Sequence, residues 1–141
     1  MKINKINRLT VVIALLLVIM QSSLAMTGNQ PHKELTLKTT GVIEMVVYTT
    51  KDGVSQSEHL KRSEKAGHAL AEMDGFVGRH FTRGADGKWI DLVYWRDLEA
   101  AQRAADVFVT LPESQGFMAD MNDSDMQFIH TSVLSTITSQ P

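Results

Sequence analysis

The sequence predicts an α+β domain in the order β-α-β-β-α-β, with one four-stranded antiparallel sheet and its helices on one face. Three observations predict it. β-rich stretches with alternating side chains recur four times, at 42–48, 75–83, 88–95 and 126–134. Two segments of helical period, each opened by a capping residue, follow the first and third of them. Between the second and third, Gly84-Ala85-Asp86-Gly87 carries the glycines and aspartate of a hairpin turn. Packing both helices against one face of a single sheet is the economical arrangement for this order, the ferredoxin-like split βαβ.

The elements follow in chain order. Residues 1–25 start with Lys2, Lys5 and Arg8, continue with an uncharged apolar run from Leu9 to Met20, and end Ser23-Leu24-Ala25. Small residues at the first and third positions before a cut suit signal peptidase, so the chain is expected to be exported, periplasmic or secreted, with cleavage after Ala25. The run is too short for the roughly 20 residues of a spanning helix. Residues 26–40 are polar and without period, a linker or N-terminal arm. The domain occupies 41–135, and 136–141 is a polar tail.

Within the domain, VIEMVVY (42–48) is strand one and Asp52-Gly53 a turn. Ser55 or Ser57 caps a helix running to about Met73, with Leu60, Gly67, Leu70 and Ala71 near one face. Asp74-Gly75 ends it. GFVGRHFTR is strand two and KWIDLVYW strand three; Asp97 caps LEAAQRAADVFVT, which Pro112 interrupts. ESQGFMADM is a further helical turn, and MQFIHTSVL is strand four.

Composition excludes several function classes. Loss of residues 1–25 removes three cations and leaves 11 Lys and Arg against 16 Asp and Glu, a formal charge of −5. That balance argues against nucleic acid or an anionic membrane surface as partner. The chain has no cysteine, hence no disulfide, thiolate ligand or thiol nucleophile. His59 and His68 are nine apart, without the i, i+4 spacing of a helical metal pair, and no metal site is expected.

Strand parity sorts the sheet into two sets. Ile43, Met45, Val47, Ile90, Leu92 and Tyr94 form a largely apolar set, joined by Val77, Phe81, Ile129 and Val133, and are expected beneath the helices. Arg79 and Arg83 are exceptions in it, reaching past an edge. The other set holds Glu44, Tyr48, Trp89, Asp91 and Trp95, joined by Phe76, His80, Phe128 and His130. Its two carboxylates and two imidazoles come from four different strands. A carboxylate beside an imidazole suits proton transfer near neutral pH. An aromatic face of this kind calls for cover by a second subunit.

Gly75-Phe76 opening strand two, DGKWIDLVYW-RDLEAAQRAA linking strand three to helix two, and Phe117 before strand four together resemble the antibiotic biosynthesis monooxygenase (ABM) family of dimeric α/β barrels. The resemblance covers Val42 to Leu134. It implies a homodimer with a small-molecule pocket in each subunit between sheet and helices. It also implies oxygenation of a small aromatic or quinone-like molecule without metal, flavin or other cofactor, because the electron-rich substrate itself activates oxygen. The alternative on the same scaffold is a non-catalytic small-molecule-binding or stress-response protein. Haem-degrading members carry Asn on strand one, Trp within helix two and His just after it, and this chain has none of these there.

The catalytic candidates are His80 and Asp91, either of which would take a phenolic proton, and the two are an expected cross-strand pair. Glu44, Tyr48, Trp89, Trp95 and His130 are substrate-binding candidates, with His59 added at the apolar edge of helix one. Met118, Met121 and Met126 are expected to pack flexibly, with the alternative of shaping an adaptable pocket.

Overall fold

A computed structural model describes residues 37–138. The expected leader and all but the last residues of the arm lie outside this range. After a single 3₁₀ turn at Leu37–Thr39 come β1 (Val42–Tyr48), α1 (Gln56–Ala71), β2 (Phe76–Arg83) and β3 (Trp89–Trp95). Then follow α2 (Leu98–Phe108), α3 (Pro112–Ala119) and β4 (Gln127–Ser132). The sheet order is β2-β3-β1-β4, antiparallel throughout, which is the expected ferredoxin-like arrangement.

Local chemistry explains the boundaries. Ser55 caps α1 by accepting from the Glu58 N–H, and Asp97 caps α2 by accepting from Ala100. The helix-terminal charge on Asp97 is stabilised by that N–H, which holds its carboxyl below the ordinary range. Gly75 turns the chain from α1 into β2 at φ +84°, a left-handed conformation, with Ala100 so close that a Cβ would clash. Pro112 opens α3 at its first turn.

Parity grouped β1 and β3 correctly, but the faces are reversed. Val42, Glu44, Val46 and Tyr48 are buried beneath the helices with Trp89, Asp91, Val93 and Trp95. Ile43, Met45, Val47, Ile90, Leu92 and Tyr94 lie on the opposite, half-exposed face. The helices supply the reason. The inward side of α2 is Ala100, Ala101 and Ala104, small enough to receive Trp95 and Val93. The inward side of α1 is His59, Ser63, Ala66 and Leu70, half polar, and it meets the polar members of the sheet. Leu60 points outward, and Ala71 is exposed as well.

β2 adds a second correction. A bulge between Phe76 and Gly78 breaks its alternation: Phe76 pairs with Trp95, whereas Gly78 pairs with Tyr94. Beyond it Arg79, Phe81 and Arg83 register with Val93, Asp91 and Trp89 on the helix side, and His80 registers with Leu92 on the other.

Candidate functional site

Three polar constructions lie under the helices, each set up by strand register. The first joins Asp91 on β3 to Arg79 on β2. Arg79 Nε and one terminal nitrogen donate to the two Asp91 oxygens at 2.7 Å each, a bidentate pair. The same guanidinium donates to the Ser63 carbonyl at 2.7 Å and to its hydroxyl at 2.9 Å. It fits because position 67 is glycine: a Cβ there would stand 2.6 Å from Arg79. Arg79 is thus the partner of Asp91, in place of His80.

The second construction is sealed. His59, fully buried, lies 3.0 Å through Nδ1 from Asp120 and 2.8 Å through Nε2 from the Tyr48 hydroxyl. A carboxylate only accepts, so Nδ1 carries the proton; burial lowers the imidazole pKa and keeps it neutral, so Nε2 accepts from Tyr48 O–H. Burial also raises the Tyr48 hydroxyl far above its ordinary value. Arg62 donates to the second Asp120 oxygen. Around this chain, Phe117 stacks on His59 with ring centres 5.1 Å apart, and Phe81 stacks on Trp89 at 5.0 Å.

The third construction is open. Glu44 on β1 registers with His130 on β4, and Nε2 of His130 lies 2.9 Å from a Glu44 oxygen. Glu44 is buried, and desolvation raises its carboxyl pKa; His130 pulls the other way, and the nearby Asp91 charge adds to the rise. The Trp95 N–H also favours the charged form of Glu44. That fully buried indole N–H is turned to Glu44 at less than ideal hydrogen-bond geometry.

Glu44, Asp91 and Trp95 all line a cavity of about 240 Å³ between sheet and helices. Its remaining wall is mostly apolar, including Phe108 of α2, Phe117 of α3 and Met118, Met121 and Met126, so the methionines take the alternative of shaping a pocket. Val109, Asp123, Met126 and Phe128 are exposed lining residues and mark its mouth. The loop from Asp120 to β4 that carries part of this mouth is tied to β1. Thr49 accepts from Asn122 N–H, and Asp125 takes the Thr49 N–H and hydroxyl.

Of the sequence candidates, Glu44, Asp91 and Trp95 therefore meet at the cavity, with His130 bonded to Glu44. Tyr48, Trp89 and His59 belong to the sealed cluster beside it. His80 is away from both: it is exposed on the opposite sheet face, 3.1 Å from the Tyr94 hydroxyl. Sequence reasoning missed Arg79 as a site residue and Asp120 altogether. A signal for Arg79 existed, since a buried carboxylate on β3 requires a cation and the neighbouring strand offers one.

Neither a family model nor a curated protein sequence matches the chain. Solved structures do. SnoaB, a cofactor-independent oxygenase from Streptomyces nogalater, aligns over 71% of this chain and 99% of its own at 17% identity and TM-score 0.58. A candidate antibiotic biosynthesis monooxygenase from Nitrosomonas europaea aligns over 67% of this chain and 99% of its own, at 9% identity and TM-score 0.55. The chain has the fold of the ABM proteins. A third ABM-fold structure, a point mutant of the haem-degrader MhuD from Mycobacterium tuberculosis, aligns at 19% identity and TM-score 0.56. It covers 70% of this chain and 99% of its own, and it holds two manganese protoporphyrin IX molecules per active site.

Proposed function

We propose that the chain is an exported ABM-family monooxygenase that oxidises a small aromatic or quinol-like molecule without a bound cofactor. The observation that carries this reading is the Glu44–His130 pair at the wall of a largely apolar cavity. A carboxylate whose pKa is raised by burial is suited to accept a proton from a ring hydroxyl. His130, bonded to that carboxylate, holds it in place and stabilises its charge. Asp91 is not available for this role, since both its oxygens accept from Arg79.

In this reaction Glu44 deprotonates the hydroxyl of a ring enol, and the resulting electron-rich anion reduces dioxygen. One oxygen atom replaces two hydrogens on a ring CH₂ as a carbonyl and the other leaves as water. The ring carbon supplies all four electrons. The apolar wall excludes water and orients the ring. Oxygen uptake with a panel of anthrones and quinols tests it, with labelled dioxygen to trace the carbonyl. Enzyme-dependent uptake with one labelled atom in the product is expected, and no uptake with any member sinks the reading.

Two further parts belong to it. The half-exposed aliphatic face formed by Ile43, Met45, Val47, Ile90 and Leu92 supports a homodimer packed sheet to sheet; sedimentation at micromolar concentration checks the mass. The composition of residues 1–25 supports export, and N-terminal sequencing of the secreted or periplasmic protein is expected to begin at Met26. Binding without turnover is the second reading. The three methionines favour it, because such a wall adapts to more than one ligand.

A further inference from the structure

The sheet face turned away from the helices carries a single ionisable pair. Strand register fixes what is turned there. β1 and β3 present aliphatic side chains and Tyr94. β4 presents Gln127, Ile129 and Thr131, and β2 presents Gly78, His80 and Thr82. The other titratable strand residues, Glu44, Arg79, Arg83, Asp91 and His130, are all turned to the opposite side. Among the described strand residues, His80 and Tyr94 are therefore the only titratable side chains on this face.

The two are bonded to each other. His80 Nδ1 lies 3.1 Å from the Tyr94 hydroxyl, and the rings meet edge to face with centres 5.5 Å apart. In the neutral tautomer with its proton on Nε2, Nδ1 accepts from the Tyr94 O–H, and one N–H remains to be satisfied. That pair enters an apolar contact at modest cost. Protonated, the ring carries a full charge and two donors, and none of the strand residues on this face is a carboxylate to balance it. In the free subunit His80 is exposed, so water solvates the charge. A two-fold contact doubles the penalty, since each subunit brings its own His80 to the same interface.

Resting on the homodimer reading, we infer that this aliphatic face is a self-association surface gated by His80: a second copy closes over it while the imidazole is neutral, and acid separates the two. The sign follows from linkage. The dimer favours the uncharged ring, and the free subunit takes up the proton. The His80 contribution to association is complete above the ordinary imidazole value of about 6.5 and is lost as pH falls below it. Association expels one proton from each subunit, so the two protonation factors multiply and Kd rises by up to about a hundredfold from pH 8 to pH 5.5.

Sedimentation velocity over a dilution series of the full mature protein tests this at pH 8 and pH 5.5, with circular dichroism to confirm the fold at both. The native Kd is expected to rise by about thirty- to a hundredfold on acidification. His80→Gln keeps an uncharged hydrogen-bonding group beside Tyr94 and is expected to hold Kd within about threefold over the same range. Leu92→Glu, at a half-exposed neighbour on the face, is expected to leave monomers at both values. A native Kd that moves by less than about threefold overturns the gate, and so does an acid response that His80→Gln retains. A dimer that survives Leu92→Glu moves the contact to another surface and overturns it as well. Monomers from the native protein at pH 8 remove the homodimer and the gate with it, whereas a dimer indifferent to pH removes the gate alone.

Discussion

Two carboxylate–imidazole pairs lie under the helices at nearly the same separation, His59–Asp120 at 3.0 Å and His130–Glu44 at 2.9 Å. His59 has a partner on each nitrogen, and Asp120 has a second cation in Arg62. Trp89 and Phe117 pack against the His59 ring. Glu44 has one side-chain partner of good geometry, a loosely aligned indole donor beside it, and a cavity in front. The same two chemical groups therefore act as a structural lock where every valence is filled and as a candidate proton acceptor where one is left open. What distinguishes structure from function here is completeness of the hydrogen bonding, not residue type.

Removing a filled valence should cost most. Arg79→Ala leaves Asp91 buried, charged and unpaired and strips Ser63 of its donor, so a loss of about 3–5 kcal/mol in urea unfolding is expected. A loss under about 1 kcal/mol would mean that the Asp91 site is wet and not part of the closed framework.

His59→Ala comes next, at about 2–4 kcal/mol, from the lost ring volume and the stranded Tyr48 and Asp120 groups. It also carries a pH signature. Burial lowers the folded-state pKa of His59, so the unfolded chain takes up the proton first. The contribution is fully present above the unfolded value of about 6.5 and is lost as pH falls through it toward the depressed folded value. Unfolding at pH 8 and pH 5 should show this slope in the native protein and a shallower one in the variant.

Glu44→Gln tests the open pair, where the sign reverses. Its folded pKa is raised, so the fold favours the protonated form, and the benefit of protonation fades as pH rises through that value. Glutamine should therefore leave melting at neutral pH unchanged or higher while lowering turnover by about 10²-fold or more. The native rate should rise with pH through the Glu44 pKa, since the base must be ionised, and that limb should vanish in the variant. A variant that melts much lower would make Glu44 as structural as Asp120.

This contrast explains what the sequence could and could not disclose. β1 and β3 have unbroken alternation, so Glu44 and Asp91 fall on one face by counting alone. The element order, the Asp97 cap and the choice of Ser55 or Ser57 for the other cap were legible for the same reason: each rests on neighbours in sequence. Which face the helices cover is a different kind of fact. Hydrophobicity favoured the aliphatic set around Ile43 and Leu92, but the alanines of α2 and the His59–Ser63 edge of α1 fit the bulkier, polar set. His80 was misplaced by a single bulged residue, which no pattern of that strand announces. Asp120 lies 61 residues from His59, and nothing local marks it as a partner.

The smallest effect is expected at His80, and it bears on the comparison from outside. Its side chain is exposed, its one bond is to the Tyr94 hydroxyl, and both lie on the face turned away from the cavity. His80→Ala should change unfolding by no more than about 0.5 kcal/mol, as for other exposed positions free of special contacts. Oxygen uptake should match the native protein, and on the proposed sheet-to-sheet homodimer any change appears as weaker self-association in sedimentation. A tenfold fall in turnover would instead bring a third imidazole into the chemistry and dissolve the division between one closed pair and one open pair.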